Sequence, residues 1–495
     1  VQKWSPGATE GVTVVGGNGE GNNSNQLFYP LGVALDALGN LYVADARNYR
    51  IQKVTNEPQI IIAAGETSGT LTISGIEDKL LSEGTETIIM TPSATNATLA
   101  SSDAINLNLL DNSITLTKKD DPFIGLSKGA VSWGDYDRDG DKDVAIMGQS
   151  SIEGAVTAIY RNDSGTFVNT NQNFDKLYSG DIAWVDIDKD GYLDLVVSGF
   201  NQTGKTLLYR NEQGLYFVKD TTVNLPQLFS TQMDWGDLDN DGDIDFVMMG
   251  IDIEGKLVNY LGFKSGDKYD LVMHNSVIFY EWQYESSAWF GLIKGEVKIV
   301  DLDLDGDNDI IYSGEDLNGN ASSRIITNTL LNNSNNIESI PNLKSSAIEL
   351  VNTGDSTGMG ILVQGINSSG SFQSYNMGSY NLSAISEKLH SGDITAGDFN
   401  NDGYADIVLT GEDDNGTAIT KLYSAYNGTY EAFDVTLEGL RESTAEWVDY
   451  DMDGDLDLFL MGLSDLGAKT LLYETEVANK KNTAPLAPTN LISND

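Results

Sequence analysis

GDYDRDGDKDVAIMG, residues 134–148, places five aspartates within nine positions and runs directly into an apolar stretch. Like charges at that density repel, so the stretch either hangs loose in water or holds a counter-ion for which its spacing is built. Repetition decides between the two. The pattern returns as VDIDKDGYLDLVVSG at 185, GDLDNDGDIDFVMMG at 236, VDLDLDGDNDIIYSG at 300, GDFNNDGYADIVLTG at 397 and VDYDMDGDLDLFLMG at 448. The steps are 51, 51, 64, 97 and 51 residues. A step of 97 is close to two units, and VNTGDSTGMGILVQG from 351 keeps the frame, the apolar run and the closing Gly365, which makes seven copies. A merely solvated turn does not preserve one ligand spacing through six copies.

With position 1 at Asp135, positions 1, 3, 5 and 9 are Asp135, Asp137, Asp139 and Asp143, and Gly140 at position 6 allows the sharp turn that aims them inward. The equivalent sets are Asp186, Asp188, Asp190 and Asp194; Asp237, Asp239, Asp241 and Asp245; Asp301, Asp303, Asp305 and Asp309; Asp398, Asn400, Asp402 and Asp406; and Asp449, Asp451, Asp453 and Asp457. Crowded oxygen donors suit Ca²⁺, which accepts six to eight of them, with a further backbone carbonyl expected from position 7: Asp141, Tyr192, Asp243, Asp307, Tyr404 and Asp455. About six Ca²⁺ ions are therefore expected. Mg²⁺ fits less well, because it keeps its waters and a strict octahedron. The copy at 351 offers Asn352, Gly354, Ser356 and Gly360, too little oxygen and no charge, and is expected to bind nothing. An EF-hand would need a bidentate Glu at position 12, where this chain has Ile146, Val197, Met248, Tyr312, Leu409 and Leu460.

Each unit reads as an apolar strand, the acidic loop, a second strand such as DVAIMG, a Gly-containing turn, a third such as TAIYRN and a short fourth such as GTFVNT. Four short strands per roughly 50 residues is the signature of a propeller blade. The last unit ends after its third strand, KTLLYETE, one strand short. Residues 113–118 supply a candidate: shifted by 51, the region 113–133 aligns with the fourth strand of the next unit and its lead-in, and this orphan would complete the last blade and remove the open edge of the ring. The fold expected is all-β, a seven-bladed propeller of four-stranded blades with metal loops between strands 1 and 2, plus short N-terminal β segments.

Composition agrees with a cation binder. Of 495 residues, 74 are acidic and 29 basic, for a formal net charge of −45, which argues against nucleic acid and anionic membrane surfaces as partners. There is no cysteine, hence no disulfide or thiolate site, and His274 and His390 are the only histidines, so hard-metal chemistry through oxygen remains. No apolar run approaches the roughly 18 residues of a membrane span, so no direct membrane insertion is expected, and VQKWSPGATE carries no visible targeting segment.

On these motifs the segment 113–478 resembles the FG-GAP/VCBS repeat family, whose best-known relatives are the seven-bladed propellers of integrin α-subunits. The resemblance implies calcium in the loops between strands 1 and 2 and a role in adhesion or ligand binding outside the cell, in a secreted or cell-surface protein. Departures from it are the worn loop at 351 and a larger number of metal loops. Upstream, YPLGVALDALGNLYVADARNYRIQKV, residues 29–54, resembles an NHL repeat, and AAGETSGTLTISGIEDKLLSEGTETIIM, residues 63–90, resembles the second half of a Calx-β domain. The expected division is a partial NHL-like blade at 1–56, a partial Calx-β-like sandwich at 57–112, the propeller at 113–478, and a linker at 479–495 that resembles the lead-in to a fibronectin type III domain. By family analogy, such mosaics belong to large bacterial surface or secreted proteins.

A protein or glycan ligand is expected on the face opposite the metal loops, where the 64-residue step places 13 additional residues within VIFYEWQYESSAWFGLIKGE, residues 277–296. Trp282, Tyr284, Trp289 and Phe290 could form a platform there; the alternative is a plug over the channel. By contrast Trp133, Trp184, Trp235 and Trp447 recur two residues before a metal loop, which reads as core packing. Glu281, Glu285 and Glu296 are conceivable acids of the insert, but no catalytic constellation stands out, so the chain reads as a binding module rather than an enzyme. The rival readings are a polysaccharide-acting enzyme or its substrate-holding module, and a structural stalk.

Overall fold

The computed structural model describes residues 114–273 except 121, residues 292–326 except 303, and residues 340–477 except 341, 353–358, 368–371, 378–387 and 427–428. Before residue 114 it describes 2–3, 12–13, 15, 20–21, 26–35, 41–54, 86–90 and 105–109. The chain divides into two compact units, 1–78 and 79–495.

In the second unit the units of sequence become antiparallel sheets, each built in chain order. The first contains Ser127–Gly134, Asp143–Ser150, Gly154–Asp163 and Thr166–Asn169. The second contains Tyr178–Val185, Asp194–Asn201, Thr203–Asn211 and Phe217–Asp220. The third contains Leu228–Gly236, Asp245–Asp252, Leu257–Ser265 and Lys268–Met273. Three strands each are described for the fourth (Ile293–Val300, Asp309–Glu315, Ala321–Ile326) and the fifth (Lys344–Asn352, Met359–Ile366, Phe372–Met377). The sixth contains Ile394–Gly397, Asp406–Glu412, Ala418–Tyr426 and Thr429–Ala432. The seventh contains Arg441–Val448, Asp457–Ser464 and Gly467–Val477, and its fourth strand is Ile114–Lys118, with Tyr473 opposite Lys118 and Val477 opposite Ile114. The orphan strand thus occupies the edge that the sequence left open.

First strands pack on one another in sequence, and that of the seventh sheet packs on that of the first. The core follows the same cycle. Val131, Ile146 and Ala158 of the first sheet join Val448, Phe459 and Leu472 of the seventh. Ala145, Met147 and Ile159 face Leu177, Ile182 and Leu195 of the second. Further clusters fill the remaining junctions, so apolar residues one position apart on a strand serve opposite neighbours. The core is a belt of seven interfaces. Each recurrent tryptophan packs against one of them: Trp133, Trp184, Trp235 and Trp447 lie against four different clusters.

A bulge recurs where the first strand meets the second. Lys128, Ser179, Lys294 and Ser391 adopt φ between 50° and 54°, and a Cβ on the glycine that follows each would lie 1.7–2.1 Å from a carbonyl oxygen of the second strand. Gly129, Gly180, Gly295 and Gly392 are therefore required by close backbone approach.

In the first unit Pro30–Leu35, Leu41–Asp45 and Arg50–Val54 form one sheet. Buried Asp45 ties its corner together, accepting from the Phe28 N–H at 2.6 Å, Asn48 Nδ2 at 2.8 Å and Arg50 Nε at 2.8 Å. Of the segment read as Calx-β-like, Glu86–Met90 and Ile105–Leu109 pair antiparallel and the rest lies outside the described residues, as does 479–495.

Candidate metal sites

Every acidic loop joins a first strand to a second and is pinned at both ends. Position 2 is a buried apolar side chain in an inter-sheet cluster: Tyr136, Ile187, Leu238, Leu302, Phe399 or Tyr450. Position 9 opens the second strand and is equally buried, Asp143 and Asp245 at 0% exposure. Between these anchors, position 4 adopts a left-handed backbone without glycine: Arg138, Lys189, Asn240, Leu304, Asn401 and Met452 have φ of 57–64°. Position 6 is also left-handed, and there glycine is present each time, Gly140 at φ 102° and Gly191 at 89°.

This curl turns loop N–H groups onto the carboxylates. The position 1 aspartate accepts from the N–H of position 6 in all six loops, at 3.1 Å for Gly140 to Asp135 and 2.8 Å for Gly403 to Asp398. The position 5 aspartate accepts from the N–H of position 7, as from Asp141 to Asp139 at 2.9 Å. Each carboxylate is thereby oriented with its remaining lone pairs directed into the loop.

Among the described residues, four loops bring three carboxylates close enough to share an ion, with ligand atoms within 4.8 Å of one another. They are Asp135, Asp137 and Asp143; Asp186, Asp188 and Asp190; Asp237, Asp239 and Asp241; and Asp449, Asp451 and Asp453. Asp303 lies outside the described residues, and the loop at 398 has Asn400 in place of a third carboxylate. Gly354 and Ser356 of the worn copy also lie outside them; Asn352 and Gly360 fall on strands. Two buried carboxylate oxygens, Asp237 Oδ1 and Asp449 Oδ1, have no hydrogen-bond partner. A buried anionic oxygen without a donor is costly, and an oxygen-seeking cation at the loop centre removes the cost.

Position 9 does more than the sequence implied. Asp143 accepts from the N–H of Tyr136 at 3.1 Å and of Asn162 at 2.8 Å, so it ties its loop to the third strand. Asp194, Asp245 and Asp457 repeat both bonds. Burial pushes the Asp143 and Asp457 carboxyls up to about 8 and those of Asp194 and Asp245 to about 6, with neighbouring loop carboxylates adding to the rise. A bound cation reverses that pressure.

Position 4, which reads as a spacer in sequence, reaches the position 7 side chain of the next loop. Lys189 Nζ lies 2.6 Å from Asp243 Oδ1, Asn401 Nδ2 donates to Asp455 Oδ1 at 2.6 Å, Asn240 donates to Asp307, and the Arg138 guanidinium stands 5.2 Å from the Tyr192 ring centre. Sheet-to-sheet stapling continues below: Asn162 donates to the Tyr450 carbonyl at 2.7 Å and Asn211 to that of Tyr136 at 2.8 Å. The recurrence of YRND at 160 and YRNE at 209 is a signal from which these asparagines could have been found.

Trp282, Tyr284, Trp289 and Phe290 lie outside the described residues, with His274, Glu281 and Glu285. Glu296 does not belong to the insert: it sits on the first strand of the fourth sheet, 2.6 Å from Lys298 Nζ, because the bulge at Gly295 has already begun the strand. His390 is half-buried, its Nδ1 3.1 Å from Ser391 Oγ and 3.6 Å from Glu412 Oε1. No helix of the described residues is long and apolar enough to cross a membrane.

Compared with known families, residues 135–197 and 186–248 match the FG-GAP-like repeat and residues 29–54 the NHL repeat. No curated protein matches the chain. Among solved structures, a mutant of the Aleuria aurantia lectin in complex with alpha-methyl-L-fucoside is similar at 9% identity, covering 72% of this chain and 95% of that one with a TM-score of 0.36. A mutant of AofleA from Arthrobotrys oligospora is similar at 13% identity, with 64% and 91% covered and a TM-score of 0.33. A thermostable family-43 glycoside hydrolase is similar at 9% identity, with 76% and 100% covered and a TM-score of 0.27. The acidic loops and the strands around them at 135–248 are thus FG-GAP-like repeats of an all-β propeller-like fold, and residues 29–54 of the same chain are an NHL repeat.

Proposed function

We propose that residues 113–478 form a seven-bladed, calcium-stabilised propeller that serves as a ligand-binding or adhesion module of a larger secreted or cell-surface protein. The observation that carries this reading is a division of labour between the two ends of the strands. Successive connections of an antiparallel sheet emerge at opposite ends, so the hairpins between second and third strands lie away from the acidic loops. Four of their tips are apolar: Ile152 is 94% exposed, Ile253 76%, Leu317 57% and Leu466 85%.

These side chains do nothing for the turns that bear them. In the third, fourth and sixth sheets one aspartate caps the hairpin, Asp252 Oδ1 accepting from the N–H of Glu254 and Lys256, Asp316 from Asn318 and Asn320, and Asp413 from Asn415 and Thr417. The residue after it is Ile253, Leu317 and Asp414 in turn. Because the same hairpin forms with an acid at its tip, the exposed aliphatics are free to serve a partner. Six loops rich in carboxylate oxygen and without histidine or cysteine favour calcium, held by positions 1, 3, 5 and 9 with the position 7 carbonyl. On this reading the chain binds a protein or glycan and does not transform it.

The test combines binding with melting. Ile253→Asp with Leu317→Asp is expected to weaken capture of a glycan array or surface extract while leaving the calcium-dependent melting temperature unchanged. Trp282→Ala with Trp289→Ala tests the aromatic insert in the same way. Undiminished binding by both double variants overturns the assigned face, and calcium-dependent release of reducing sugar from a polysaccharide would move the reading to an enzyme.

A further inference from the structure

The ring axis is lined by the first strands, and consecutive sheets are stapled there by side chains that accept the next sheet's backbone N–H. Ser132 Oγ accepts from Trp184 at 3.3 Å, Asp181 from Met233 at 3.0 Å, Asp234 from Ile299 at 2.6 Å, Glu296 from Ile348 at 2.7 Å, Glu349 from Ala396, and Asp393 from Ala445 at 3.0 Å. The acceptors alternate. Ser132, Asp234 and Glu349 stand three residues before position 1 of their loops, whereas Asp181, Glu296 and Asp393 stand five before.

Two alternating settings cannot close around seven sheets. The seventh falls on the three-before setting, where it presents Glu446, and meets the first, which uses that setting too. Among the described residues Glu446 has no side-chain hydrogen-bond partner, although it is half-buried. That junction is held instead by Thr470, which accepts from the Leu126 N–H at 3.3 Å and donates to the Ile124 carbonyl at 2.8 Å, and by Asn162 on Tyr450.

The charges acting on Glu446 come from the second, fourth, fifth and sixth sheets. Asp181, Glu349 and Asp393 are set against Lys298, whose side chain is 34% exposed, whose ammonium pairs with Glu296 at 2.6 Å and which also feels Asp234. The first sheet contributes Ala130 and Ser132 there, neither titratable.

We propose that Glu446 is a proton-linked latch on ring closure: as the neutral acid it completes the one junction without a staple, and its ionisation loosens the seam between the seventh and first sheets. Burial pushes this carboxyl up to about 8; Lys298 lowers it, and Asp393, Glu349 and Asp181 raise it. The folded value stands above the ordinary one, so the folded ring holds a proton that the unfolded chain releases. Stability from this group is therefore full at acid pH, declines as pH rises from about 4.5 to about 8, and is flat beyond.

The experiment compares the full chain with Glu446→Gln in saturating calcium from pH 5.5 to 8.5, reading melting temperature and amide exchange normalised to unstructured rates. Glutamine mimics the neutral acid, so the variant is expected to melt only slightly above the native chain at pH 5.5, to exceed it by a margin that widens up to pH 8.5, and to keep protection of Arg441–Val448 and Ser127–Gly134 where the native chain loses it. Changes at the calcium loops affect both proteins alike and cancel. Lys298→Met, which removes the cation that lowers the Glu446 carboxyl, is expected to move the native transition to higher pH. Parallel profiles for the native chain and Glu446→Gln, or a glutamine variant that fails to fold, overturn the proposal.

Discussion

Two groups of crowded carboxylates sit within one ring and are relieved in opposite ways. In the loop from Asp135 to Asp143 the N–H groups that meet the carboxylates come largely from the loop itself, as from Asp139 and Gly140 to Asp135 at 3.1 Å each. At the axis they come from the neighbouring sheet, as from Met233 to Asp181. The loop is left with convergent oxygens and sends its Arg138 to the Tyr192 ring of the next loop, whereas the axis spends its carboxylates on stapling and keeps Lys298. Density of acid therefore does not by itself define a cation site. What matters is whether the donors lie within the segment, turning oxygens toward a common point, or outside it, turning them apart.

The most severe way to break the comparison is to open the ring on which both groups depend. Removing residues 1–112 should leave the sheets folded, whereas removing 1–120 deletes Ile114–Lys118 and bares the edge of Gly467–Val477. Sedimentation should find the shorter protein aggregated and the longer one monodisperse at equal concentration. Equal behaviour would show that closure does not need this strand.

Calcium should act on the loops and spare the axis. With site affinities on the order of 10⁻⁴ M, each ion at 1 mM calcium contributes about 1.4 kcal/mol, so six independent sites amount to about 8 kcal/mol. Calorimetry in calcium and in chelator measures this, and an unchanged melting temperature would refute the metal assignment.

Single loop positions sharpen the contrast. Asp143→Ala strands two buried N–H groups and should cost about 2–5 kcal/mol even in chelator. Asp139→Ala, at an exposed position, should cost under about 1 kcal/mol in chelator and markedly more in calcium. Similar losses in chelator would erase the distinction between anchor and ligand. The smallest effect belongs to the contacts between loops: Lys189→Met removes an exposed ion pair with Asp243 and should leave the denaturation midpoint almost unchanged, the more so at high salt. A larger loss, read by denaturant titration, would mean that neighbouring loops are coupled.

Much of this protein is local, and the local part was legible. A period near 51 residues, aspartates at alternate positions ahead of an apolar run, and a terminal unit one strand short are properties of contiguous chain, and they determined the repeat, the acidic loop and the partner of Gly467–Val477. Recurrence at one position before the acidic loops also determined that Trp133 and its counterparts serve the core. Glu296 was misread as part of an insert because a bulge at Gly295, set by close approach to the Ser313 carbonyl, cannot be seen in one strand alone. The second duty of Asp143, the reach of Lys189 to the next loop, and the alternating staples that leave Glu446 over were decided only by tertiary structure. Each depends on an N–H, a charge or a count of sheets supplied by another repeat, and the geometry of a closed ring with an odd number of members is not contained in any one of its units.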